Sequence, residues 1–241
     1  MAERPQVVQF DVQQVTDEAN RFDIMARVEP FHDQLSLAKG RTLGELFRNV
    51  DIGVEAVFIR TFGEEARDIA VSVQRVRDVN IGGEQFRIVK RLLRAVAPDY
   101  QNSGFGSELT DEAINRLHPN AFTGRTPNPY VLRAEEKSAH TGIIFPLHEL
   151  YTPKAQLLLA VSLEEKSLAE VNIRNGVCRR VYPKGASRLF ILENASTRVL
   201  EIHKRVTDAE PEGLGADLEE GDGVRYLTIV ESEGAGSSAF K

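Results

Sequence analysis

Apolar residues along this chain alternate with a period of two in some stretches and close to four in others, and the changes of period divide it into elements. Val7 to Val12 alternates weakly and predicts a first strand. Thr16-Asp17-Glu18 offers a helix N-cap before Ala19, Phe22, Ile24, Met25 and Val28, and Pro30 closes that segment. A second helix is expected over Gly40 to Val50, capped by Thr42, with Leu43, Leu46, Phe47 and Val50 on one face. Strands follow over Val54 to Phe62 and Ile69 to Val79, and Gly82-Gly83 turns the chain into a third over Phe86 to Ala97. Strict alternation there puts Phe86, Ile88, Leu92 and Val96 on one face and Val89, Leu93, Ala95 and Ala97 on the other. A strand apolar on both sides belongs in the middle of a covered sheet, and Pro98 ends it.

A helix is predicted from Gly104 to Leu117, because Phe105, Leu109, Ala113 and Leu117 recur every four residues. Residues 119–129 read as a loop rich in proline, followed by a short helix from Asn128 to Ser138. Thr152-Pro153 signals another helix through Leu163. Residues 170–206 carry no clear period, and Val224 to Val230 reads as a last strand. The order implies an α/β or α+β domain. The expected organisation is a core over residues 1–150, an extension over 151–232 that completes the sheet or an acceptor site, and a loose tail over 233–241.

Composition narrows the picture. The chain has 241 residues, 41% of them hydrophobic, enough for one large domain and too apolar for general disorder. Its lone cysteine, Cys178, excludes an internal disulfide and reads as a small packed thiol. Met1 to Gln6 lacks the apolar core of a signal peptide, and no stretch approaches the roughly 18 apolar residues of a membrane span, so a soluble cytoplasmic protein is expected. The net charge of −6 is concentrated: seven carboxylates and no Lys or Arg fall between Asp208 and Gly223, a segment read as a solvated acidic loop. No basic stripe with interleaved aromatics suggests a nucleic-acid partner. His32, His118, His140, His148 and His203 are scattered without metal-ligand spacing, so no metal is expected, and His140 and His148 read as surface histidines.

The chemistry is advertised between the third strand and its helix. Val96-Ala97-Pro98-Asp99-Tyr100 leads into Gln101-Asn102-Ser103-Gly104-Phe105-Gly106-Ser107. Two glycines let the backbone turn tightly, and the first amides of the helix point outward at its positive end, a combination suited to phosphate. The bland alternative is a glycine turn that binds nothing. A Walker loop fails because Ser107-Glu108 follows Gly106, and the dinucleotide fingerprint lacks its third glycine.

Ala95-Val96-Ala97-Pro98 followed by Gln101-x-x-Gly104-x-Gly106, with Tyr100 between, resembles motif A of the GNAT superfamily of acetyl-CoA-dependent N-acetyltransferases. The similarity covers residues 54–118 and extends more vaguely to residue 150. It implies a mixed, mostly antiparallel sheet with a splayed centre and helices on both faces. It also implies acetyl-CoA as co-substrate, its pantetheine arm paired with the backbone of Arg94, Ala95 and Val96. The amides of Gln101, Asn102, Ser103, Gly104, Phe105 and Gly106 would hold the diphosphate, with Asn128 contributing nearby. An amine of unknown identity would attack the thioester directly. Tyr130 is the candidate general acid and Tyr151 an alternative, although their spacing from Asn128 departs from the family pattern.

Glu135 and Glu136 could serve as bases but read better as solvated charges on a helix surface. Arg87, Lys90, Arg91 and Arg94 make the third strand basic; either their stems cover apolar surface, or Lys90 and Arg94, taken to share a face, approach the donor or an anionic acceptor. Gly124 to Pro129 is read as a plain loop or part of the acceptor pocket. The alternatives to an enzyme are an inactive acyl-CoA-binding or regulatory protein and a purely structural domain. Residues beyond 150 could form a homodimer contact, a lid or a subdomain.

Overall fold

The computed structural model describes residues 8–35, 42–48, 50–62, 66–138, 144–148, 156, 158–159, 161, 176–184, 192–193, 195–208, 213–220 and 222–230. In chain order these form β1 (Val8–Gln14), α1 (Glu18–Val28), a 3₁₀ turn (Glu29–Gln34), α2 (Leu43–Arg48), β2 (Glu55–Thr61), β3 (Asp68–Ile81) and β4 (Glu84–Val96). A short 3₁₀ turn (Pro98–Tyr100) then leads to α3 (Phe105–Leu117), β5 (Ala121–Thr126), α4 (Pro129–Ser138), β6 (Ile144–Phe145), β7 (Val177–Cys178), α5 (Thr197–Thr207) and β8 (Gly223–Ile229).

Local chemistry explains the boundaries. Within the expected capping segment, Asp17 caps α1 by accepting from the Asn20 amide at 2.9 Å. Thr42 and Glu45 exchange side-chain to backbone bonds of 3.1 and 2.8 Å, a capping box that starts α2. The β3–β4 hairpin closes on Gly82 and Gly83 at φ of +63° and +91°, values that favour glycine at both positions of a two-residue turn. Asn128 caps α4 through the Tyr130 amide at 2.9 Å.

The strands form one eight-stranded sheet in the order β1-β2-β3-β4-β5-β8-β6, with β7 also paired to β8. It is mixed but mostly antiparallel; only β4 and β5, among the described pairs, run parallel. One face is covered by α1, the first 3₁₀ turn and α2, whose Ile24, Val28, Phe31 and Phe47 pack on Phe58, Val71, Val73, Leu93 and Ala95. Burying each such side chain contributes about 1.5–3 kcal/mol. Further along that face, Phe86, Ile88, Ala121, Leu227 and Ile229 pack in one cluster with Phe145 and Cys178 of β6 and β7 and with Leu158, Leu159 and Tyr182. The opposite face carries α3, α4 and α5, through Phe105 and Leu109, Ala113, and Leu132 with Ile202 and Val206.

Several expectations need correction. Residues 121–126 are a strand, not a loop; β8 supplies the partner from a hundred residues away in sequence, pairing Ala121 with Ile229 through Thr126 with Val224. β4 does not alternate simply. Val73 faces Leu93 while Gln74 faces Arg91, so Leu92 is an extra residue, a bulge that reverses which face each later side chain takes. The acidic segment is not wholly solvated: Leu214, Ala216 and Leu218 are buried, and buried Asp222 pairs with Arg179 at 2.5 Å. Cys178 is a buried thiol outside any disulfide. Tyr151, His140 and the start of the helix signalled by Thr152-Pro153 lie outside the described residues, whereas residues 156, 158, 159 and 161 of that segment are helical.

Candidate functional site

Parallel strands β4 and β5 stay together only briefly. They pair at Ile88 with Ala121, Val89 with Phe122 and Lys90 with Thr123, and then part. Beyond Lys90 no described strand pairs with the β5-facing edge of β4, so Arg91 to Val96 present open backbone there. The parting leaves a slot of about 60 Å³ that runs through the sheet. Gln34, Leu35, Leu93 and Arg125 line it on the α1–α2 face, and Arg91, Arg94, Val131 and Tyr226 on the α3–α4 face. Asn128 and Thr126 complete the wall.

The glycine turn lies at the top of β4. Gln101 and Asn102 are exposed and Ser103 and Gly104 half-buried, so the turn faces solvent. Gly104 is the N-cap of α3 at φ +96°, a conformation that excludes most side chains. The Gln101 and Ser103 amides turn back to Pro98 and Tyr100, and those of Ser107 and Glu108 to Gly104. Among the described residues nothing accepts from the amides of Asn102, Gly104 or Gly106. Gly106 lies against α4, where an added Cβ would meet that of Ala134 at 3.9 Å.

Between the turn and the slot stands Arg94. Its Nη1 donates to the Gly106 carbonyl at 3.2 Å and to Thr110 Oγ1 at 2.9 Å, and its Nη2 to the Val131 carbonyl at 3.1 Å. It also meets Glu135 Oε1 at 2.9 Å. Arg91 approaches the same oxygen with Nε at 3.0 Å, donates to Thr110 Oγ1 at 2.9 Å and lies 4.5 Å from the centre of the Phe122 ring. The side chains of Arg91, Arg94 and Glu135 are 3%, 6% and 0% exposed. Two guanidiniums thus share one carboxylate inside the protein, leaving a local excess of positive charge beside the slot. Burial pushes the Arg91 guanidinium down from its ordinary value, and the Glu135 carboxylate opposes that shift.

The expectation that Glu135 and Glu136 are solvated is therefore overturned. The i, i+4 stripe of α4 turns Glu135 toward β4, and Glu136 is half-buried against Arg133 and Arg198. The expectation that the arginines of β4 reach water fails for Arg91 and Arg94, while exposed Arg87 pairs with Asp78 at 2.8 Å. Lys90 and Arg94 do not share a face, because the bulge at Leu92 lies between them.

Lys90 points to the α1–α2 face. Burial, then the charges of Arg225, Arg75, Arg125 and Arg77 in that order, push its ammonium down to about 8. Arg75 stands directly opposite Lys90, and Arg125 directly opposite Arg225, in the strand registers.

Tyr130 is half-buried at the edge of the α4–α5 core, and burial raises its hydroxyl's pKa. It does not line the slot, whereas Tyr226 does. The Tyr226 ring lies over Gly124, so close that a Cβ there would sit 2.5 Å from the hydroxyl oxygen. Burial, reinforced by Glu135 and opposed by Arg91 and Arg94, raises its pKa well above the ordinary phenol range. His148 is half-buried rather than on the surface, accepting from the Ile144 amide through Nδ1 at 3.1 Å, and burial lowers its pKa.

No protein-family model matches the chain, and no curated protein matches it. Among solved structures, the Escherichia coli ribosomal-protein-S18-alanine N-acetyltransferase aligns at 11% identity over 95% of this chain and 98% of its own, with a TM-score of 0.40. NAA60 of Arabidopsis thaliana, in complex with a bisubstrate analogue, aligns at 13% identity over 54% of this chain and 83% of its own, with a TM-score of 0.39. AtaTR bound with AcCoA aligns at 13% identity over 54% and 82%, with a TM-score of 0.31. Scores this low carry no argument about activity.

Proposed function

We propose that this chain is a GNAT-type N-acyltransferase that moves an acetyl group from acetyl-CoA to an amine by direct attack. The observation that carries the reading is the parting of β4 from β5 immediately below an exposed glycine turn at the start of α3. The open strand edge, Arg91 to Val96, leads through residues 97–100 to the amides of Asn102, Gly104 and Gly106, from which nothing among the described residues accepts. That strip fits an elongated ligand with an amide-bearing arm and a diphosphate at one end. The backbone of Arg94, Ala95 and Val96 would hold the arm. The turn from Gln101 to Gly106 would hold the diphosphate, with Asn128 at the far wall. Acetyl-CoA supplies an activated thioester; the protein needs to position an amine, accept its proton and return one to the departing sulfur.

Two tyrosines compete for that last task. Tyr130 has the expected place on α4, but Tyr226 has its ring at the slot and a hydroxyl that stays protonated over the working pH range. The geometry favours Tyr226. The charge excess of Arg91 and Arg94 over Glu135 would favour a developing thiolate beside it. A cytoplasmic setting belongs to the same proposal.

Calorimetry with acetyl-CoA, followed by thiol release against a panel of primary amines, tests the reading. Binding with release supports acyl transfer; binding without release for any amine leaves the inactive, acyl-CoA-binding alternative; no binding ends both. Gly104→Asp should weaken acetyl-CoA at least about 100-fold, since a carboxylate would face the diphosphate at the positive end of α3. A folded Gly104→Asp protein with normal affinity would show that the turn is not the cradle.

A further inference from the structure

The slot closes where β4 and β5 come together, and a lysine stands at that end. The two strands are last paired at Lys90 and Thr123. On the β3 side, Arg75 faces Lys90, Gln74 faces Arg91 and Val73 faces Leu93, so the bulge at Leu92 makes Lys90 and Leu93 successive residues on the α1–α2 face of β4. On β5, Arg125 follows Thr123 on that same face. Leu93 and Arg125 both line the slot. Lys90 is therefore rooted beside the α1–α2 mouth, with a flexible four-carbon stem to carry its nitrogen.

The direction of the donor follows from the turn. With its diphosphate at Gln101 to Gly106 and its arm along Val96, Ala95 and Arg94, acetyl-CoA would run down β4 toward lower residue numbers and bring its thioester to the end of the slot nearest Lys90. Lys90 is half-buried, and burial, then Arg225, Arg75, Arg125 and Arg77, push its ammonium down to about 8. An appreciable share of neutral amine is then present near neutral pH, and only the neutral nitrogen has a lone pair with which to attack a carbonyl carbon. Exposed Lys184, which meets Glu220 at 2.9 Å, and exposed Lys204 of α5 do not line the slot.

We propose that Lys90 is a self-acylation site: with no competing amine present, its Nζ takes the acetyl group of acetyl-CoA held along β4. The proposal rests on the acyl-transfer reading for the donor, and on the strand geometry for the residue. The nitrogen lone pair forms a C–N bond to the thioester carbonyl carbon, and the C–S bond breaks. The departing sulfur takes the electron pair of that bond and the proton that the nitrogen loses. The products are an amide at Lys90 and free CoA, with no oxidant or further reactant. Because the amide is uncharged, the modification removes one cation from among Arg75, Arg77, Arg125 and Arg225.

The test incubates the full chain with acetyl-CoA at mildly alkaline pH without added amine, then maps acetylated residues by peptide mass. Lys90 should gain an acetyl group at least about 100-fold faster than Lys184 or Lys204, the advantage of a nucleophile held beside its target. Excess free CoA should suppress the reaction by occupying the same place, and protein unfolded in urea should lose the preference for Lys90. Lys90→Met should gain no acetyl group beyond the slow background at Lys184 and Lys204. Acetylation of Lys90 at the rate of those exposed lysines, or at a rate that free CoA does not change, overturns the proposal. Calorimetry with acetyl-CoA and thiol release with added amines, on the same protein, keep the two readings apart. Binding and release with no acetyl group on Lys90 overturn self-acylation and leave acyl transfer standing. Acetylation of Lys90 that free CoA suppresses, with no added amine consumed, upholds self-acylation and overturns transfer to an external amine. Neither binding nor acetylation overturns both.

Discussion

Two groups of cations lie back to back on one stretch of β4, and they are held in opposite ways. On the α3–α4 face, Arg91 and Arg94 are buried against Glu135, with Thr110, Gly106 and Val131 accepting further hydrogen bonds. On the α1–α2 face, Lys90 is crowded by Arg75, Arg77, Arg125 and Arg225. The first group joins three elements, β4, α3 and α4, and removing its carboxylate would damage the protein. In the second, Arg75 meets Asp51 at 2.6 Å, while the like charges around Lys90 oppose its ammonium. Burial against a carboxylate marks a group that supports the frame; crowding with like charge marks one whose ammonium gives up its proton more easily.

The largest effect tests the supporting side. Glu135→Leu would leave two guanidiniums inside without their counter-charge and should cost about 3–5 kcal/mol in urea denaturation. A loss below about 1 kcal/mol would place the triad in contact with water and erase the contrast.

Next comes the slot wall on that same face. Tyr226→Phe should lower kcat about 100-fold with acetyl-CoA affinity intact, the usual scale for a lost proton donor, whereas Tyr130→Phe should change kcat by less than about threefold. The reverse ranking would return the acid to α4.

The smallest effect tests the crowded side by pH. The folded pKa of Lys90, about 8, lies below its value in an unfolded chain. Between these values the unfolded state binds more protons, so stability should rise with pH. The penalty is fully present below pH 8 and is relieved as pH rises from 8 toward the ordinary lysine range. Because the side chain is partly open to water, the rise should be about 1 kcal/mol, measured as wild type minus Lys90→Met. The same variant should be the more stable protein at pH 7 and low salt. Identical pH profiles for the two proteins would show that Lys90 is not crowded.

Much of the frame was legible from local pattern. The capping box at Thr42, the Gly82-Gly83 hairpin and the glycine turn before α3 follow from residues close together in sequence, and each stands near its predicted place. What was hidden depends on distant partners. β5 contains Gly124 and precedes Pro127, poor signals for a strand, and it exists because β8 pairs with it. Glu135 looks like any helical glutamate until β4 is seen to bring two arginines to it. Tyr226 gives no local sign of its position, which the insertion of β8 between β5 and β6 decides. The open edge of β4 and the crowding around Lys90 likewise emerge only when four strands are set side by side.

Leu92 acts as a parity switch. Arg91 and Arg94 are three apart and, in an unbroken strand, would point to opposite sides; the extra residue between them brings both to Glu135. A strand that took Leu92 into the regular ladder, without the bulge, would swing Arg94 across to join Lys90, leaving Glu135 with a single arginine. One apolar residue thereby sets how a unit of positive charge is apportioned between the two sides of the sheet.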